Sequence, residues 1–100
     1  MKCVYKYKVP ITDEPAIQMP AGAVPLTFQV QRSEPMLWCL VDPDADLEWR
    51  QFVMRGTGQP VPEAVGVGPH PDGRVATVTH IGTIQLRGYV WHLFEPWGYT

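Results

Sequence analysis

The sequence has few of the residues on which catalytic motifs and cross-links are usually built. Its 100 residues include two cysteines and three histidines, Ser33 is the single serine, and charged residues make up only 18%. The longest uninterrupted apolar run, Met36 to Val41, is six residues long, whereas a membrane-spanning helix needs about 20. We therefore expect no membrane-spanning segment and no membrane partner.

The start of the chain argues against secretion. Met1 to Lys6 carries charges in the stretch where a secretory signal needs an apolar core. We expect the protein to stay in a cytoplasm, where thiols remain reduced. Cys3 and Cys39 are then predicted to be small buried hydrophobic residues rather than partners in a disulfide.

The charge balance argues against a protein dedicated to duplex nucleic acid. Lys and Arg number 8 and Asp and Glu number 10, so the formal net charge is −2. Nucleic-acid-binding proteins usually have a basic face, because neutralising phosphates supplies much of their affinity. Lys2, Lys6 and Lys8 form one small basic cluster, which we interpret as lysine protection of an exposed edge strand.

Proline and glycine are abundant instead. The chain has 11 Pro and 9 Gly, which favours short strands and turns over long helices. Alternating and β-branched stretches predict about six strands, at residues 2–9, 23–32, 36–41, 48–55, 74–86 and 89–95. A short helix near residues 44–52 fits the apolar spacing equally well. We therefore predict a single all-β, mainly antiparallel domain over residues 1–100, either a β-sandwich or a small barrel.

The connections between strands predict two hairpins. Residues 33–35 form a short turn before the strand Met36–Val41, which is apolar on both faces and is the expected central strand. Arg87-Gly88 forms a two-residue turn before the last strand. Two segments lie outside the strands: a long Gly/Pro-rich loop at residues 56–73 and a short aromatic tail at residues 96–100.

The second hairpin also predicts which side chains are neighbours. If Leu86 pairs with Tyr89 across the turn, the register places Thr83 opposite His92 and His80 opposite residue 95. We therefore predict a contact between His80 and Glu95. Such a contact would be structural, or at most a weak candidate for a catalytic pair.

No pattern of catalytic or metal-binding residues emerges. Ser33 lies in a turn without a nucleophile elbow, and Cys39 lies in the most apolar strand. The acidic segment 42–48 resembles a calcium loop, but the EF-hand pattern requires Gly at its sixth position and Glu at its twelfth, where this chain has Leu47 and Val53. We expect a non-enzymatic protein without metal or cofactor; a small enzyme using His80 or His92 is the remaining catalytic alternative.

The most suggestive stretch for ligand binding is residues 55–60. Its glycines let backbone N–H groups converge into an anion-binding nest, to which Arg and Thr side chains add donors. As a binding site, arginines and this loop would contact phosphates and a tryptophan would stack on a base. The alternative for this stretch is a mobile turn. The candidate ligand-binding residues are Arg50, Arg55, Gly56, Thr57, Gly58, Arg74, Trp91 and Trp97.

Eight segments of the chain, taken in order, form a set. They are Lys2–Val9, Met19–Ala23, Gln29–Gln31, Leu37–Pro43, Arg50–Phe52 ahead of Gly56–Gly58, Ile81–Thr83 and Val90–Glu95. As a set they resemble a family of small uncharacterised proteins found largely in bacteriophage genomes. The resemblance implies phage origin and expression in the host bacterial cytoplasm, and it transfers no functional residues.

Two classes of function fit these observations. The first is a phage accessory protein that antagonises host defence by binding and sequestering a nucleotide-type signal. The alternative is a structural or accessory protein of the virion, or an inhibitor that docks on a host protein through strand 2–9 and the aromatic tail. Because one small domain has little room for both a core and a deep pocket, we expect a homo-oligomer with a shared pocket.

Overall fold

Eight antiparallel strands account for most of the described chain. The computed structural model describes residues 1–61 and 76–99, and the side chains of residues 1–61 and 78–96. The strands are β1 (Cys3–Lys8), β2 (Ala16–Pro20), β3 (Val24–Gln31), β4 (Glu34–Val41), β5 (Leu47–Gln51), β6 (Val53–Gly56), β7 (Ala76–Leu86) and β8 (Tyr89–Tyr99). The predicted all-β, antiparallel class is confirmed, with eight strands instead of six.

The strands form three sheets. Their orders are β1-β4-β3, β2-β5 and β6-β8-β7. None of the described sheets closes into a barrel, and the arrangement is consistent with a small β-sandwich. The helix predicted near residues 44–52 is wrong: no helix occurs in residues 1–61 or 76–99, and Leu47–Gln51 pairs with β2 as a strand.

β4 is the central strand of its sheet, as predicted. Leu37, Cys39 and Val41 are buried on one face, whereas Met36, Trp38 and Leu40 on the other face are half-buried. The strand is therefore apolar on both sides but fully covered on only one.

β1 is an edge strand, which agrees with the interpretation of its lysines. Lys8 forms an ion pair of 2.9 Å with Glu34 on β4, and Lys6 donates a hydrogen bond to Gln31 on β3. These long side chains therefore lie along the outer face of the first sheet.

Both predicted hairpins are present. Arg32 and Ser33 have φ values of 53° and 65°, and Arg87 and Gly88 have 53° and 82°. Two successive residues with positive φ define the type I′ turns that match the twist of paired strands. The first turn is therefore Arg32-Ser33, and Glu34 already belongs to β4.

The core is a continuous apolar cluster contributed by all three sheets. Fully buried members include Met19 on β2, Leu37 on β4, Phe52 between β5 and β6, Met54 on β6 and Leu93 on β8. Burial in this core strengthens the fold chiefly through the hydrophobic effect.

The two cysteines differ in environment. Cys39 lies in the core, where burial raises the pKa of its thiol to about 11. Cys3 is exposed, so the prediction that it is buried is wrong, and both thiols are free. Cys3 lies at the start of an edge strand, where no further strand of the described chain covers it.

The last strand is longer than expected. β8 runs through Tyr99, so residues 96–99 continue a strand instead of forming a separate tail. Of the predicted loop at residues 56–73, Gly56 ends β6 and Thr57–Val61 are described. Residues 62–73 lie outside the described residues.

At Gly82, strand β7 packs closely against β3. A Cβ atom at this position would lie 3.0 Å from Phe28 Cβ and 3.4 Å from its carbonyl oxygen. Only a residue without a side chain lets the two strands pack this closely.

We predict that Gly82→Ala destabilises the protein by ~1–3 kcal/mol, the usual effect of overpacking. Urea denaturation followed by tryptophan fluorescence measures it. Gly56→Ala is the matched control, because its nearest contact is the flexible end of Gln59 at 3.4 Å. Equal effects of the two substitutions would contradict the close packing of β7 on β3.

Candidate functional site

A largely buried ion pair joins the three sheets. Arg50 on β5 donates hydrogen bonds to the Glu95 carboxylate on β8, from Nε at 2.8 Å and from Nη2 at 2.9 Å. Its Nη1 donates to the carbonyl of Ala23, directly before β3, at 2.8 Å. The two charged side chains are only 19% and 16% exposed. Because the three elements belong to different sheets, this bidentate pair fixes the sheets relative to one another.

Burial and pairing oppose each other at Glu95. Burial raises the pKa of its carboxyl, and the charge and hydrogen bonds of Arg50 lower it, with a net result above the ordinary value. Glu48 adds a smaller upward effect on the pKa of Glu95, and its Oε1 lies 3.8 Å from Arg50 Nη1. The guanidinium that the sequence suggested for phosphate binding therefore already faces two carboxylates.

A groove lies over this ion pair, between β3 on one side and β7 and β8 on the other. Its volume is about 680 Å³. Apolar side chains form most of its walls and the ion pair lies among its lining residues, which are Ala23, Val24, Pro25, Leu26, Arg50, Thr79, His80, Ile81, Glu95 and Pro96. We call it the Arg50–Glu95 groove.

A second cavity contains three of the residues predicted from the sequence. It has a volume of about 410 Å³ and is lined by Gly56, Thr57, Gln59, Gly88, Tyr89, Val90 and Trp91. We call it the aromatic pocket. Tyr89 and Trp91 lie two residues apart on one face of β8, with ring centroids 5.9 Å apart. Trp91 packs against the core, whereas Tyr89 is 66% exposed.

The glycine-rich turn beside this pocket uses its own backbone donors. Gly56 N donates to Gln59 Oε1 at 2.6 Å, and Gln59 N donates to the Gly56 carbonyl at 3.0 Å. Thr57 N donates to the Val90 carbonyl at 3.3 Å. The turn is therefore held by internal hydrogen bonds, and an anion at these three N–H groups would have to replace them.

Arg55 holds the ends of two loops. Its Nη1 donates to the carbonyls of Asp13 at 2.7 Å and Met54 at 2.9 Å, and its Nε donates to the Pro60 carbonyl at 3.1 Å. These contacts connect the segment before β2, strand β6 and the segment after the glycine-rich turn. Arg55 lines a separate cavity of about 320 Å³, which shares Gln59 with the aromatic pocket.

Two histidines and two threonines form a hydrogen-bonded chain on the outer face of the third sheet. His92 Nε2 lies 2.8 Å from Thr57 Oγ1, and His92 Nδ1 lies 2.9 Å from Thr83 Oγ1. The same Thr83 hydroxyl lies 2.9 Å from His80 Nε2. Thr83 has one hydroxyl hydrogen, so it donates to at most one of the two imidazoles. The chain orients both rings and connects β7 to the glycine-rich turn.

The predicted neighbours of the second hairpin are half right. Thr83 pairs with His92 as expected, but a bulge between His80 and Gly82 shifts the register beyond it. His80 therefore lies opposite Phe94, with ring centroids 5.3 Å apart, and Thr79 takes the place opposite Glu95. The predicted contact between His80 and Glu95 is wrong, because the extra residue of the bulge displaces His80 by one position.

The structure divides the candidate ligand-binding residues among three places. It brings Gly56, Thr57 and Trp91 together at the aromatic pocket, and Gly58 lies in the adjoining turn with a φ of +91°. Arg50 and Arg55 line other cavities. Arg74 and the side chain of Trp97 lie outside the described residues.

The sequence reasoning missed Tyr89 and Gln59 as lining residues of the aromatic pocket. The available signal for Tyr89 was strand alternation, which places residues 89 and 91 on one face. Nothing in the sequence indicated that Glu95 pairs with Arg50, 45 residues away.

The family model described as a domain of unknown function (DUF7352) matches residues 1–99. The chain belongs to this family. Membership in DUF7352 agrees with the resemblance to an uncharacterised family and assigns no activity to the residues above. No curated protein and no solved structure matches the chain.

Two features are absent from the described residues of this DUF7352 member. Residues 1–61 and 76–99 contain no helix long and apolar enough to cross a membrane. In the same part of the chain, no three His, Cys, Asp or Glu side chains cluster closely enough to hold a metal ion.

We predict that Arg50→Met destabilises the protein by about 3 kcal/mol at neutral pH, the low end for breaking a buried pair, because Glu95 loses its partner. The deficit should shrink as pH falls. Because the pKa of Glu95 is raised in the folded state, the stability of the protein falls as pH rises above 4.5, the ordinary pKa of this carboxyl. Without Arg50 the pKa of Glu95 rises further, so the loss of stability extends to higher pH.

Urea denaturation of both proteins across this pH range measures the effect. Lys8→Met breaks the exposed Lys8–Glu34 pair and is the matched control, with an expected loss of at most about 1 kcal/mol. A deficit of Arg50→Met that does not change with pH would contradict this account of the pair.

Proposed function

We propose that this protein is a non-catalytic binding protein whose aromatic pocket takes up a nucleotide-type ligand. The observation that carries the proposal is the juxtaposition of the exposed Tyr89 and the half-buried Trp91 with the glycine-rich turn. The volume of about 410 Å³ lies within the usual range for small-molecule sites. An exposed aromatic surface next to polar turn residues suits a planar base with a polar substituent.

The pocket offers a base both a stacking surface and polar partners. A ring lying on Tyr89 or against Trp91 gains about 1–3 kcal/mol from stacking. The Thr57 hydroxyl and the Gln59 side-chain amide are at the rim and can bond to base edges. Arg87 precedes the lining residue Gly88 and is exposed, which places a cation in the same hairpin turn for a phosphate.

The biological setting we propose follows from the resemblance to bacteriophage proteins. A small non-catalytic protein in the host bacterial cytoplasm can act by sequestering a nucleotide-type signal of host defence. Sequestration needs tight, stoichiometric binding, and a pocket completed by a second copy would enclose the ligand more fully. We therefore keep a homo-oligomer as part of the proposal.

We predict that Tyr89→Ser weakens nucleotide binding about 5- to 150-fold, since one stacked base contributes about 1–3 kcal/mol. Isothermal titration calorimetry with a panel of mono-, di- and cyclic nucleotides measures the affinity. Tyr89 is largely exposed, so the fold should tolerate the change.

Tyr5→Ser is the matched control, because Tyr5 is an exposed tyrosine on β1 of another sheet. It should leave the affinity unchanged. Failure of every nucleotide in the panel to bind the unmodified protein would refute the proposal.

A second candidate function, docking on a host or virion protein, is favoured by a different surface. Trp49 and Leu47 lie two residues apart on β5 and are 70% and 62% exposed. Exposed tryptophan is enriched among the residues that dominate protein–protein affinity. The edge strand β1, with Val4 53% exposed, offers a further contact of the β-addition type.

Native mass spectrometry of the protein purified from bacterial cells distinguishes the two functions. For the binding proposal we expect an oligomer that carries extra mass absorbing in the nucleobase band. For docking we expect a ligand-free chain in complex with a host protein. The complex should be lost in Trp49→Ser and retained in Trp38→Phe.

A further inference from the structure

Two β-bulges meet at the Arg50–Glu95 groove. The register of β3 on β4 skips Leu26 between Pro25 and Thr27, and the register of β7 on β8 skips Ile81 between His80 and Gly82. Both skipped residues line the groove. Because a bulge redirects a side chain out of the regular alternation, these two irregularities supply apolar walls from two different sheets.

The walls of the groove are apolar and partly open to solvent. Leu26 is 50% exposed and Val24 is 47% exposed, and Ile81, Pro25 and Pro96 are half-buried. Apolar side chains left this exposed in a concave site gain free energy when a ligand covers them.

The charges around the Arg50 guanidinium do not cancel, counting Glu48, which lies beside the ion pair and is not a lining residue of the groove. Arg50 supplies one positive charge, while Glu95 and Glu48 supply two negative charges within 4 Å of its guanidinium. Three N–H bonds of Arg50 are directed to Glu95 and to the Ala23 carbonyl. The local balance is therefore one excess negative charge, at a guanidinium already paired with a carboxylate.

We infer that the Arg50–Glu95 groove is a second binding site, for a small organic cation with one positive charge and an apolar body, such as an aliphatic amine. The ammonium group lies beside Glu95, within reach of the charge of the nearby Glu48, and the alkyl chain covers Leu26, Val24 and Ile81. A carboxylate oxygen has two lone pairs, so Glu95 accepts from the ligand without releasing Arg50. This site is separate from the aromatic pocket and does not depend on the function proposed there.

Nuclear magnetic resonance titration with three probes of equal length tests the inference: n-hexylamine, 1-hexanol and hexanoate, at about pH 8. We expect saturable shifts of the backbone amides of Leu26, Thr79, Ile81 and Glu95 with hexylammonium. We expect at least fivefold weaker binding of hexanol and no saturable shift with hexanoate. Equal binding of the three probes, or shifts spread over the surface, would overturn the inference.

Two pairs of variants separate the charge from the apolar wall. Glu48→Gln on β5 should weaken hexylammonium binding about two- to fivefold, as for a partly exposed ion pair. Glu14→Gln, in the segment before β2, should have no effect on this binding. Leu26→Ser should weaken the binding of both hexylammonium and hexanol, whereas Leu47→Ser, at another exposed leucine on β5, should weaken the binding of neither. Unchanged binding in Leu26→Ser would place the ligand elsewhere.

Discussion

The Arg50–Glu95 ion pair is the interaction on which the arrangement of the sheets depends. Two of the sheets have three strands and one has two, and a two-stranded sheet is marginal by itself in water. The apolar core holds the sheets together, but hydrophobic contact is not directional. The bidentate hydrogen bonds, together with the bond from Arg50 to Ala23, specify one orientation of β5, β8 and the start of β3.

This specificity has a consequence for ligand recognition. A carboxylate removed from water is destabilised by loss of hydration and stabilised by its partner, and at Glu95 burial raises the pKa more than Arg50 lowers it. The guanidinium of Arg50 is committed to the fold because three of its N–H groups already donate to Glu95 and to the Ala23 carbonyl. Arg55 is committed similarly, because three backbone carbonyls accept its hydrogen bonds. Arginines that a sequence offers as phosphate ligands can instead be the connections between its segments.

Local sequence patterns predicted the strands well and the long-range contacts poorly. The apolar run Met36–Val41 identified β4 as central, and the turn Arg87-Gly88 gave the pairing of Thr83 with His92. The prediction of His80 opposite Glu95 failed at a bulge, since one extra residue shifts every pairing beyond it. The prediction of a helix near residues 44–52 was wrong because the local spacing of apolar residues permits a helix or a strand. Pairing with β2 and the contacts of Arg50 with Glu95 and Ala23 favour the strand. The aromatic pocket was partly predictable, because Gly56, Thr57 and Trp91 were identified, but the separation of Arg50 and Arg55 from it depends on contacts across 45 and 42 residues.

The chemistry of the aromatic pocket limits how a nucleotide can be recognised there. The backbone N–H groups of Gly56, Thr57 and Gln59 are already hydrogen-bonded within the protein. They therefore contribute little binding energy to a phosphate group. Under the proposed function, most of the affinity for a nucleotide then comes from stacking on Tyr89 and Trp91, which every base can provide. Selectivity among bases must come from the side chains of Thr57 and Gln59, since hydrogen bonds to base edges distinguish one base from another. Thr57 is hydrogen-bonded to His92, and His92 to Thr83. The direction of the Thr57 hydroxyl therefore depends on where the protons lie along this row of hydrogen-bonded histidines and threonines. Under the proposed function, His92 therefore affects ligand selectivity through its hydrogen bond to Thr57.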